Sequence, residues 1–208
     1  MRWPETVSRR FALFDVSIIL AISIAYVTLE AVHVPKRWSF AMVGIALLAY
    51  TVYLTRRRTD SWRDLGFRVD NLRAAALPFG LITLLLGAGL VAWAVLHGRP
   101  IISRQAVLLL ALYPLWAIVQ QLAFQGLLHR RLMLLVPSRA LQIAVTAAAF
   151  AAVHVGNWTL VLLTFSVGIV WSMLYRAYPN LWLLGASHTV LAALAYPLVL
   201  GDAPLSRL

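Results

Sequence analysis

Long apolar runs separated by short polar stretches organise almost the whole chain. A helix needs about 20 residues to cross the roughly 30 Å of hydrocarbon in a bilayer, and most of the runs approach that length. The pattern predicts seven membrane spans, at residues 11–32, 39–55, 74–97, 106–129, 140–155, 158–175 and 181–200. The first run is interpreted as a retained span, because no small-residue cleavage site follows it. The second and fifth runs are short, and we expect one of the short runs to be a partial or tilted helix.

The composition supports a membrane protein. Of the 208 residues, 62% are hydrophobic and 12% are charged, whereas soluble domains are nearer to half apolar and a quarter charged. We therefore predict an all-α fold, a polytopic transmembrane helix bundle of about seven spans in one structural domain. Residues 1–105 would supply the first three spans, residues 106–200 the core and residues 201–208 a short tail. The lack of cysteine excludes disulfides and thiolate metal sites.

The basic residues are distributed unevenly between the predicted loops. Cytoplasmic loops of membrane proteins carry an excess of arginine and lysine, and most of the 18 basic residues fall on the side of the N-terminus. This predicts a multi-pass protein of the cell (inner) membrane with a cytoplasmic N-terminus, and it accounts for the net charge of +11 without nucleic acid as a partner. Lys36 is the one lysine, a bias typical of GC-rich bacterial genomes. The longest polar insert, residues 56–73, is interpreted either as an interfacial segment or as a solvated loop.

Polar residues inside the predicted spans cluster in the second half of the chain. The fourth span carries Gln120, Gln121 and Gln125, the fifth ends with His154 and Asn157, and the seventh carries His188. Polar groups at such depth are costly and mark function by default. His154 and Asn157 share one helix face if the helix continues that far. Taken singly, each side chain could instead be a hydrogen-bonding contact between helices.

The two acidic residues of the first span lie far apart. Fifteen residues of helix separate Asp15 from Glu30 by roughly 22 Å, so they cannot form a paired-carboxylate site. We expect each of them at a membrane interface. His129, beside Arg130 and Arg131, is likewise expected at the cytoplasmic interface.

The order of the polar motifs resembles the CAAX-protease and bacteriocin-processing (CPBP or Abi) family of membrane proteins. That family has a Glu-Glu-x-x-x-Arg motif, then Phe-x-x-x-His and then His-x-x-x-Asn on successive helices. In this chain "QQLAFQ" stands in the first place, "FAAVH" in the second and "HTVLA" in the third. The chain retains Phe150, His154 and His188. It departs from the pattern at Gln120, Gln121, Gln125 and Ala192, where the family has two glutamates, an arginine and an asparagine.

The resemblance implies an intramembrane endopeptidase fold with a hydrated cavity that opens toward the cytoplasmic half of the membrane. The site residues that it implies are Gln120, Gln121, Gln125, Phe150, His154 and His188, with Phe124 and Asn157 in contact with substrate. The implied partners are the lipid bilayer and a membrane-associated peptide or protein. A divalent metal such as zinc remains open as a cofactor. His154 and His188 would be its ligands, although the loss of both glutamates weakens such a site.

The three glutamines change the chemistry that the resemblance implies. A carboxylate accepts a proton, whereas an amide does not titrate in the useful range, and loss of a general base costs about 10²–10⁴-fold in rate. His154, His188 and Glu30 are the candidate replacement bases. Three functions therefore stay open: an endopeptidase with a divergent site, a non-catalytic pseudoprotease that binds a partner or confers immunity, and a small transporter subunit.

Overall fold

The structure is a computed structural model that describes residues 7–57 and 60–201. The helices of these ranges are α1 (Arg9–Ala31), α2 (Lys36–Arg56), α3 (Leu72–Leu96), α4 (Arg104–Leu112), α5 (Pro114–Gln121), the π-helical segment π1 (Leu122–His129), α6 (Arg130–Leu135), α7 (Arg139–Ala152), α8 (Trp158–Ala177), α9 (Leu181–Ala195) and the π-helical segment π2 (Tyr196–Leu200). No strand occurs within the described ranges, which confirms the predicted all-α class. The predictions for the extreme N-terminus and for the tail fall on residues 1–6 and 202–208, outside the described residues.

Five helices are long and apolar enough to cross a membrane: α1, α2, α3, α8 and the continuous α9–π2 helix. A sixth span results if α4 and the helix of residues 114–135, which bend by 57° at their junction, count together. The chain is therefore a multi-pass membrane protein. The remaining predicted run, residues 140–155, corresponds to α7, whose 14 residues make it a shorter apolar helix.

The fourth predicted span is broken, so the expectation of one continuous helix over residues 106–129 is wrong. Pro114 has no backbone N–H to continue the ladder of α4, but it fits the first position of a new helix. The chain accordingly ends α4 at Leu112 and begins α5 at Pro114. After α5 the helix widens into π1, and it continues to residue 135 through α6.

A buried ion network joins α6 to the first helix and to the polar insert. Arg131 Nε donates to Asp15 Oδ2 at 2.5 Å, and the same guanidinium pairs with Asp60. Arg130 Nε donates to Asp60 Oδ1 at 3.0 Å. Tyr50 of α2 donates its hydroxyl to Asp15. The four ionic residues are at most 3% exposed, so two positive and two negative charges neutralise one another out of water.

Two residues that the sequence placed at a membrane interface are buried inside the protein by this network and its surroundings. Asp15 was expected at an interface but is buried between Tyr50 and Arg131, because the arginine supplies the opposite charge that a buried carboxylate needs. His129 is fully buried as well, and its Nδ1 lies 2.8 Å from the Thr146 hydroxyl of α7.

The polar insert folds against the end of the bundle. Tyr175 of α8 donates to the Leu65 carbonyl at 2.7 Å, and Leu181 N of α9 donates to the Gly66 carbonyl at 2.8 Å. Gly66 has φ +100°, and a Cβ there would lie 2.6 Å from the Tyr175 hydroxyl, so only glycine fits this turn. Trp62 remains 43% exposed at the surface of the insert. The insert therefore has one face bound to the bundle and another that is free to meet headgroups or water.

We predict that Arg131→Leu lowers the free energy of unfolding by about 3–5 kcal/mol, because it leaves Asp15 and Asp60 buried without their shared cation. Thermal unfolding of the purified chain in detergent measures the change. Arg139→Leu is the matched control, because Arg139 is exposed at the start of α7 and its loss should stay within about 0.5 kcal/mol. Equal stabilities of the two variants would contradict a structural role for the network.

Candidate functional site

A hydrogen-bonded chain links α4, α5 and α9 at His188. Gln121 Nε2 lies 3.2 Å from His188 Nδ1, and the Tyr113 hydroxyl lies 3.5 Å from His188 Nε2. The same hydroxyl donates to Gln120 Oε1 at 3.1 Å. One neutral tautomer satisfies all three contacts: Nδ1 accepts from the Gln121 amide, and Nε2–H donates to Tyr113. Both nitrogens of His188 are therefore occupied by partners within the protein.

A glycine allows α9 to approach α5 closely enough for this contact. A Cβ on Gly185 would lie 2.5 Å from Cγ1 of Ile118, well inside van der Waals distance. Gly185 precedes His188 by one turn on α9, and Ile118 precedes Gln121 by one turn on α5. The missing side chain thus sets the spacing at which the imidazole and the amide meet.

Gln125 is bound to α8, away from the two histidines. Its Nε2 donates to the Ser172 hydroxyl at 2.8 Å, and its side chain is 1% exposed. The Oε1 atoms of Gln125 and Gln121 have no hydrogen-bond partner within the described residues. At the position where the resembled family has an arginine, this chain has a neutral amide that joins two helices.

His154 differs from His188 in having one nitrogen available. It follows the end of α7 at Ala152, and its Nδ1 donates to the Phe150 carbonyl at 2.9 Å. Because a carbonyl can only accept, the proton of the neutral ring is on Nδ1, and Nε2 keeps its lone pair. The Phe150 ring lies between the two imidazoles, at centroid distances of 5.3 Å from His154 and 5.6 Å from His188.

The predicted helical face shared by His154 and Asn157 does not exist, because α7 ends before both residues. Asn157 instead caps α8, and its Oδ1 accepts from Leu160 N at 3.0 Å. Phe124, expected to touch substrate, is 3% exposed and packs edge-on against Phe150. It therefore supports the Phe150 ring, and its contact with substrate stays a prediction.

Two cavities meet beside His154. The first, which we call the polar cavity, has a volume of about 680 Å³ and lies between the α1–α2 turn, α5 and the α7–α8 turn. The second, the apolar groove, has a volume of about 230 Å³ and is bounded largely by aliphatic residues of α3, α8 and α9. Both are lined by Tyr113, His154, Leu160 and Tyr196. His188 lines only the groove, and Gln120 lines only the polar cavity of this pair.

The polar cavity lies at the end of the bundle opposite the arginine-rich network. Its lining includes Glu30 and Lys36 from the α1–α2 turn and Asn157 from the α7–α8 turn. Arg9 begins α1 and Glu30 nearly ends it, which places them roughly 30 Å apart along a helix. The cavity therefore lies away from the arginine-rich end of the bundle, and the predicted opening toward the cytoplasmic half stays a prediction.

The site is a poor match for zinc. Structural and catalytic zinc sites use at least three histidine, cysteine or carboxylate ligands. In the described part of the chain, no three His, Cys, Asp or Glu side chains lie close enough to hold one ion. An ion between His154 and His188 would have to complete its coordination with an amide or phenol oxygen.

Several residues of the site carried no recognisable signal in the sequence. Tyr113 lies between α4 and α5, directly before Pro114. The proline was the one sequence feature that could have indicated a helix break at this position. Trp171 packs on His188 at a centroid distance of 4.9 Å and donates to the Ser187 hydroxyl at 3.0 Å, although it looks like any aromatic residue of a span. Tyr196 lies in π2, and nothing in its local sequence indicated that it lines both cavities.

We predict that Gly185→Ala destabilises the chain by about 1–3 kcal/mol, because the added methyl group would force Ile118 and α5 away from α9. The loss is measured as a lower unfolding temperature in detergent. Gly89→Ala is the matched control: it lies within α3 with open space around its Cβ, so it should be neutral or slightly stabilising. Ile118→Ala combined with Gly185→Ala should recover part of the loss, and no recovery would contradict the packing argument.

Residues 102–194 match the family model described as type II CAAX prenyl endopeptidase Rce1-like. The matched segment runs from just before α4 into α9, and it contains the three glutamines, Phe150 and both histidines of the site. No curated protein matches the chain. No solved structure matches it either. The chain is thus a multi-pass membrane protein in which residues 102–194 are similar to the Rce1-like family.

Proposed function

We propose that the chain holds a membrane-associated peptide or protein segment in its polar cavity. The observation that carries this proposal is the cavity itself, because its 680 Å³ lies within the range of ligand sites and its wall includes His154, Gln120 and Tyr113. Amide, phenol and imidazole groups can hydrogen-bond a peptide backbone without requiring a charged partner. With the N-terminus in the cytoplasm, as the arginine distribution favours, the cavity receives its ligand from the non-cytoplasmic side.

The engagement of the three amides favours binding over the glutamate chemistry of the resembled family. Gln121 is committed to His188, Gln125 to Ser172 and Gln120 to Tyr113. None of them can accept a proton. Exchange of two glutamates and an arginine for three amides leaves no unpaired ion, whereas loss of one partner alone would cost about 3–5 kcal/mol. The resulting network is neutral and is compatible with a pseudoprotease or an immunity protein.

Cleavage of the bound segment is a second candidate, favoured by the open lone pair of His154. Its Nε2 can take a proton from water while the water oxygen bonds to the peptide carbonyl carbon. The same nitrogen then returns the proton to the amine as the C–N bond breaks. Imidazole is a suitable base near neutral pH. The polar cavity lies at one end of the bundle, whereas a transporter needs access from both. The cavity therefore gives no specific support to transport.

Binding is tested with a photo-crosslinking amino acid at Val155, which lines the polar cavity and is 59% exposed. Val107 of α4 is equally exposed but lies outside the cavity, so it is the matched control. We expect one defined peptide to crosslink at position 155 in intact membranes and not at position 107. Ala31→Trp places a large side chain in the cavity and should reduce the crosslinking yield about tenfold. Equal labelling at both positions, or lipid adducts alone, would refute the proposal.

Cleavage is tested by incubating the identified peptide with the full chain in liposomes. If His154 is the base, His154→Gln should reduce the cleavage rate by about 10²–10⁴-fold, while His97→Gln at the exposed end of α3 should leave it unchanged. A triple variant with Gln120→Glu, Gln121→Glu and Gln125→Arg restores the residues of the resembled family. Its cleavage rate is the reference against which the natural chain is compared. Cleavage only by this triple variant would show that the natural chain binds without cutting.

A further inference from the structure

The α1–α2 turn places a carboxylate in the wall of the polar cavity. Glu30 is the penultimate residue of α1, and its Oε2 lies 3.2 Å from Nζ of Lys36, the first residue of α2. The other oxygen, Oε1, is buried and has no hydrogen-bond partner within the described residues. A buried carboxylate oxygen without a donor is costly. Because the Glu30 side chain as a whole is 27% exposed in the cavity wall, its carboxylate can take a hydrogen bond from an occupant once Oε1 turns toward the cavity.

Glu30 is the only acidic residue of the described chain that lines this cavity. Asp15 and Asp60 are bound to arginines near the opposite end of the bundle. Asp64 and Asp70 belong to the polar insert, where Ser61 and Arg68 occupy them. Glu30 therefore gives the polar cavity a carboxylate that comes from outside the resembled motifs.

Aromatic rings form much of the remaining wall. The lining includes Tyr26, Phe40, Tyr113, Trp116 and Tyr196. Phe40 and Trp116 stack at a centroid distance of 4.2 Å, and Tyr26 lies 6.0 Å from each of them. Tyr26 is also one helical turn before Glu30, so the carboxylate and this aromatic cluster share one side of the cavity. Aromatic faces attract cations, and an aromatic wall beside a carboxylate is well suited to alkylammonium groups.

We propose that this end of the polar cavity binds an ammonium group of the ligand through Glu30 Oε1 and the surrounding aromatic rings. This inference rests on the proposed function and specifies its ligand further. The bound peptide presents a lysine side chain or a free N-terminus. Lys36 holds Glu30 in place through its other oxygen and at the same time repels the incoming cation. The two residues of the ion pair therefore have opposite effects on affinity.

The first experiment uses n-butylammonium chloride as the probe and the full chain purified in detergent, with ligand-observed NMR to measure Kd. Glu30→Gln should raise the Kd about tenfold or more, as loss of one charge-assisted hydrogen bond predicts. Lys36→Met, which keeps the carboxylate and removes the repelling cation, should lower it severalfold. A role of the ion pair in stability alone would shift both variants in the same direction. An unchanged Kd in Glu30→Gln, or equally tight binding of neutral 1-butanol, overturns the inference.

The second experiment separates the two sources of the ammonium group. The crosslinked peptide is compared with its N-acetylated form and with its form acetylated on lysine, and the acetylation that weakens binding identifies the source. If neither acetylation weakens binding, the inference is wrong while the proposed function stands. If butylammonium binds as expected but no peptide crosslinks at position 155, the proposed function fails while the ammonium site stands.

Discussion

Charge neutralisation by Arg131 governs how this bundle is assembled. A guanidinium cannot lose its proton, so an arginine that is 1% exposed must find anions in the protein. Asp15 and Asp60 supply them from two regions that are far away in sequence. The helix of residues 114–135, which follows the break after α4, is therefore fixed at its far end by α1 and the polar insert. Because the helix is fixed there, the amides of α5 and π1 face the interior, and Gln121 can meet His188 of α9.

The candidate site is organised by hydrogen bonds between neutral groups. His188 has both nitrogens engaged and acts as a fixed part of the wall, whereas His154 has one nitrogen engaged and one available. The backbone explains the difference, since His188 lies within a regular helix and His154 lies in the turn after one. Two imidazoles that look equivalent in sequence thus have different chemical capacities.

The length of the apolar runs and the composition were sufficient to predict the helical class and the approximate position of every long apolar helix, because backbone groups in lipid must be satisfied within helices. The break at Pro114 was readable in principle, but the apolar run continues through it and conceals the bend. The motif order indicated that residues near Gln121, Phe150 and His188 meet. It could not indicate the burial of Asp15 and Asp60, because their shared partner Arg131 is distant in sequence and adjoins what looked like an interfacial cluster. The helix α7 ends at Ala152, three residues before the predicted end at residue 155, because the apolar run continues through Val153 and Val155 to Gly156 and hides the earlier end.

The shared wall of the polar cavity and the apolar groove makes the two spaces thermodynamically interdependent. Tyr113, His154, Leu160 and Tyr196 have one surface in each, so a hydrocarbon chain that displaces any of them from the groove alters the free energy of an occupant next door. Linkage requires the reverse effect to be of equal size. An occupant of the apolar groove would therefore act on ligand affinity in the polar cavity in the same sense as an added effector.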